Sequence, residues 1–118
     1  MRLMPIIAPA VFLVAASGAA MAANPTRIAE TGAFLLGNAH RCGVADDRVV
    51  RAGKVIRELI VAAADDASEQ TAAKTRFAEI FRESARSEGS GRTPTPPCGT
   101  VVTQFERLEQ FHDQTGRR

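Results

Sequence analysis

Four side chains in this sequence could hold a soft metal ion or pass electrons: His40, Cys42, Cys98 and His112. As a His2Cys2 set they would suit zinc. Their spacing argues against it. His112 follows Cys98 by 14 residues, about 21 Å along a helix at about 1.5 Å per residue, so one ion cannot take both from a continuous helix. His40 and Cys42 point to different sides of a helix. No C-x-x-C pair is present to lower a thiol pKa for disulfide exchange, and no C-x-x-C-H run is present to attach haem. Neither a metal nor another cofactor is expected.

Acid–base or nucleophilic chemistry has little more to work with. A nucleophile needs a His or carboxylate aimed at it within a cleft. The carboxylates that fall in pairs, Glu79 with Glu83 and Glu106 with Glu109, sit on expected solvated helix faces, where nothing would raise a pKa. The expectation is a protein that is not an enzyme.

The chain has 118 residues, room for one domain. Residues 1–22 read as a secretory signal peptide: Arg2 is the positive start, Ile6–Ala16 the apolar stretch, and Ala20-Met21-Ala22 the small-x-small cleavage site. The apolar run is too short to span a bilayer and is broken by Pro5 and Pro9, so no integral membrane segment is expected after cleavage. The remainder, 23–118, is expected in the periplasm or outside the cell. In such a compartment an even pair of cysteines reads as a disulfide.

The chain carries 15 Lys and Arg against 13 Asp and Glu. Cleavage removes only Arg2 from that balance, and a near-neutral protein has no long-range field for gathering nucleic acid. Trp and Tyr are absent, so stacking on bases would rest on phenylalanine alone. Nucleic acid is not an expected partner.

The pattern that positions these residues is helical throughout. The spacing predicts an all-α up-and-down four-helix bundle, with helices at about 24–42, 46–64, 67–87 and 97–115. Asp46–Ala64 carries the strongest stripe, with Val49, Gly53, Ile56, Ile60 and Ala63 at steps of four, three, four and three. It is expected to be the helix that the others pack against, with Gly53 allowing a close crossing. Asn24-Pro25 caps the first helix, and Gly43 ends it. Asp46 or Asp47 is the expected cap of the second helix. Asp66-Ala67-Ser68-Glu69 is shaped like a capping box and separates helices two and three; without it the two would run on as one. Residues 88–97, rich in Gly and Pro, form a flexible loop.

Short loops favour antiparallel neighbours. The end of helix one and the start of helix four then share one end of the bundle, where Cys42 and Cys98 lie. A bridge there closes a loop of about 57 residues, worth about 4 kcal/mol in the chain-entropy model. So small a core is only marginally stabilised by burial, and reducing the bridge should loosen the protein. In build, a small helical exported protein with one cysteine pair, the chain is similar to acid-stress chaperones, and the cysteine pair is the shared feature.

The functional expectation is an interaction protein: an inhibitor, a chaperone-like binder or an envelope accessory factor with an unidentified protein partner. The basic residues Arg48, Arg51, Lys54 and Arg57 mark the expected partner-binding face, with a Phe-containing groove between helices three and four as the other candidate. The alternative is a carrier that holds a small apolar ligand inside the bundle near Phe77, Phe81, Phe105 and Phe111.

Overall fold

A computed structural model describes residues 24–86 and 95–116. The expected signal segment and most of the expected Gly/Pro loop lie outside the described residues. Four helices follow in order: α1, Pro25–Arg41; α2, Asp46–Ala63; α3, Ala67–Ala85; and α4, Cys98–Gly116. No strand occurs among the described residues. The chain is an all-α bundle with the expected helix order.

Local chemistry sets the helix ends. Asn24 Oδ1 accepts the Arg27 N–H at 3.0 Å, and Pro25 fills the first position, where its missing N–H costs nothing. At the other end, Gly43 has φ +92°. The Val44 N–H donates to the Ala39 carbonyl at 3.0 Å and the Gly43 N–H to that of His40 at 3.1 Å, which is the Schellman pattern. Between α2 and α3 the chain breaks. Ala64 is extended, Asp66 Oδ1 accepts the Glu69 N–H at 2.8 Å, and Glu69 Oε1 accepts the Asp65 N–H at 2.7 Å. The box therefore closes one residue upstream of its usual form.

The α2 cap departs from expectation. Ala45 occupies the cap with no side-chain hydrogen bond, and Asp46 and Asp47 lie inside the first turn. There they face the positive end of the helix dipole rather than capping it. At the start of α4 the Pro97 carbonyl accepts the Val101 N–H at 3.1 Å.

The centre of the bundle also differs from expectation. α1 rather than α2 makes the most extensive contacts, above all with α3, while α2 meets α3 and α4 only lightly. Ala29, Ala33 and Gly37 recur every four residues along α1, and all are buried. Such a small-residue stripe lets another backbone come close. A Cβ added at Gly37 would lie 2.6 Å from Ser84 Cβ and 2.8 Å from the Phe81 carbonyl oxygen. One at Gly32 would lie 2.9 Å from the Ile56 side chain. Gly53 has no such role, because its added Cβ would meet only Leu36 Cδ2, at an ordinary 3.7 Å. The crossing expected at Gly53 occurs at Gly32 and Gly37 instead.

The remaining core is filled by Leu36, Val49, Ala52, Ile56, Ile60, Ala73, Val101 and Phe105. Cys42 and Cys98 are bonded, with Cα atoms 5.5 Å apart across a sequence separation of 56. The bridge ties the end of α1 to the start of α4. Buried Asn38 reinforces that end. Its Nδ2 donates to the Phe34 carbonyl at 2.9 Å, and its Oδ1 accepts from Arg41 Nε at 3.0 Å. Arg41 in turn donates to the Pro96 carbonyl at 2.9 Å.

Candidate functional site

The four basic residues of α2 divide into two pairs. Arg48 is spent on α4: it forms a two-pronged pair with Glu109, at 2.7 and 3.0 Å. Its guanidinium carbon lies 5.4 Å from the centroid of the Phe105 ring, within cation–π range. The hydrogen bond from Arg48 holds the Glu109 carboxyl below the usual carboxylate range; the charges of Arg48 and Arg51 add to this, while partial burial opposes it. Glu109, expected on a solvated face, is thus a half-buried partner joining α2 to α4. Arg51 pairs with Asp47 one turn away, at 3.1 Å.

Lys54 and Arg57 make no ion pair among the described residues, and both are exposed. They share an outer stripe with two valines. Val50, Lys54, Arg57 and Val61 follow at steps of four, three and four, which is one helix face. Val50 is 58% exposed and Val61 43%. Branched Val is a weaker helix former than Lys, Glu or Ala. Two of them in solvent cost helix stability without adding to the core. The stripe was readable from the sequence by shifting the core-face spacing one residue along, about 100° round the helix.

Beside the stripe, between α2 and α3, lies a hollow of about 320 Å³ lined by Gly53, Arg57, Ile60, Lys74, Phe77 and Ala78. Ile60 is buried and Phe77 partly so, giving an apolar floor. Lys74, like Arg57, is exposed and makes no ion pair among the described residues.

A second, larger opening of about 990 Å³ separates α2 from the outer half of α4. Ala52, Val55 and Leu108 lie along it, with Arg51, Lys54 and Glu58 from α2 and Glu106, His112 and Asp113 from α4. The α2 wall is mostly basic, with Arg48, Arg51 and Lys54 beside Glu58, and the α4 wall is acidic, with Glu106, Glu109 and Asp113, so the opening as a whole selects no one charge.

The four phenylalanines do not form one chamber. Phe77 and Phe81 stack along α3 with centroids 6.3 Å apart, and His40 lies 6.2 Å from Phe81. Phe105 is fully buried on α4, and Phe111 is 59% exposed. α3 and α4 scarcely meet, because both flank α1. The groove expected between them is therefore not built by these residues; Phe77 of the set borders a hollow between α2 and α3.

The metal-capable set is likewise dispersed. Both sulfurs are bonded to each other, His40 Nδ1 lies 3.3 Å from Asp46, and His112 lines the α2–α4 opening. No three His, Cys, Asp or Glu side chains among the described residues converge on one point. No helix among them is long and apolar enough to cross a membrane. Comparison with family models, curated proteins and solved structures finds no match to this chain.

Proposed function

We propose that the chain is an exported, non-enzymatic interaction protein that docks a partner protein on the outer stripe of α2. The observation that supports this is the placement of Val50 and Val61 in solvent on either side of Lys54 and Arg57, which make no ion pair among the described residues. Exposed apolar residues gathered on one face, rimmed by charge, are a common feature of docking surfaces. The charge on this face calls for an acidic partner surface with apolar groups at its edges. Arg48 and Arg51, occupied by Glu109 and Asp47, contribute less than the sequence suggested. The disulfide ties α1 to α4, which suits an oxidising compartment.

Photo-crosslinking tests this. A photoreactive residue placed at Val50 or Val61, in the cell that makes the protein, should give one discrete protein adduct. The same residue at Glu83 on α3 should give none. Adding Lys54→Glu and Arg57→Glu should remove the adduct. Equal adducts from α2 and α3, or an adduct indifferent to charge reversal, would contradict docking at this stripe.

A further inference from the structure

Gly53 presents an unexplained cost. A glycine inside a helix is worse than alanine by about 1 kcal/mol, and a core glycine usually repays that by letting a neighbour approach. Gly32 and Gly37 do so, and Gly53 does not: an added methyl group would sit at ordinary contact distance from Leu36 alone. What Gly53 does border is the α2–α3 hollow. A missing side chain at the wall of a hollow leaves backbone open to whatever enters it.

The other walls state what that is. The floor is apolar, made by Ile60 and Phe77, and the two charges at the rim are both positive, Arg57 from α2 and Lys74 from α3. No carboxylate lines the hollow, and neither cation has an ion-pair partner among the described residues. Arg48, Arg51 and Arg76 are paired with carboxylates, while Lys54, among the described residues, is not. About 320 Å³ is at the lower end of small-molecule sites, which run from about 300 to 1,000 Å³.

We infer that the α2–α3 hollow binds a small apolar molecule bearing one carboxylate, of the medium-chain fatty-acid class. Its carboxylate sits between Arg57 and Lys74, with the planar guanidinium able to take both oxygens. Its hydrocarbon part lies on Ile60 and Phe77, against the open backbone at Gly53. This goes beyond partner docking and does not depend on it.

The test is a nitrogen-15 NMR titration of the purified oxidised chain with octanoate, octanol and acetate. Octanoate should shift the amides of Gly53, Arg57, Lys74 and Ala78 saturably, with at least tenfold higher affinity than octanol or acetate. Arg57→Gln with Lys74→Gln should lower octanoate affinity at least tenfold and leave octanol unchanged. Gly53→Ala should raise the melting temperature and weaken octanoate binding, a pairing that a merely structural glycine would not give. Equal affinity for octanoate and octanol, shifts centred elsewhere, or undiminished binding by Gly53→Ala would overturn the assignment. No partner protein is present in the titration, so its failure would leave docking at the α2 stripe standing.

Discussion

A methyl group added at Gly37 and one added at Gly53 would meet opposite surroundings. At Gly37 it runs into Ser84 Cβ and the Phe81 carbonyl. One of these is backbone, so α1 and α3 would have to separate. Gly37→Ala should destabilise the fold by about 1–3 kcal/mol, the usual cost of overpacking. Gly53→Ala should stabilise it by up to about 1 kcal/mol through helix propensity. Urea denaturation of both variants checks the pair, and the same sign for both would show that the helix crossing is misplaced. The sequence made one of these glycines conspicuous and hid the other. Gly53 stands on the stripe of Val49, Ile56 and Ile60 and so draws notice. Gly37 follows Phe34-Leu35-Leu36 but shares its own helix face with the small residues Ala29 and Ala33, where hydropathy has little to read. Asn38 was hidden for the same reason: an amide in mid-helix looks exposed until Arg41 and the Phe34 carbonyl are seen to satisfy it.

The helices themselves were the most legible part of the chain. Caps and stops with a local mechanism, at Asn24, Gly43 and Asp66, stand where their chemistry put them. The position of α1 at the centre was not legible, because close packing of small residues leaves a weak apolar signal. Of the candidate site, the basic side of α2 was legible but its division was not. That Arg48 finds a carboxylate depends on where α4 runs, and that is set by tertiary packing. The Arg48–Glu109 pair makes a prediction for α4. Glu109 is held below its ordinary pKa in the folded chain, so the link is complete above the unfolded value and fails as pH falls through the folded one. A carbon-13 titration of the Glu109 carboxyl should give a midpoint below that of an ordinary glutamate, and Arg48→Gln should move it upward. An unmoved midpoint would mean that α4 is not held to α2 by this contact.

The whole molecule is an α1-centred body of three helices with a fourth strapped to one end. α4 buries Val101 and Phe105 in its first two turns, while residues 110–113, past the Glu109 contact, are exposed and border an opening towards α2. Its anchorage is the Cys42–Cys98 bond, the Arg41 contact with Pro96, and the Arg48–Glu109 pair. α1 with α2 and α3 has the more extensive packing, so the parts should not share one stability. Amide hydrogen exchange with and without reductant measures this directly. On reduction, the amides around Val101–Phe105 should lose their protection first, while those of Ala29–Ala39 in α1 and Ala73–Phe81 in α3 keep most of theirs. If reduction leaves α4 as protected as before, or strips all four helices together, the bundle is not built as a three-helix body with a tethered fourth.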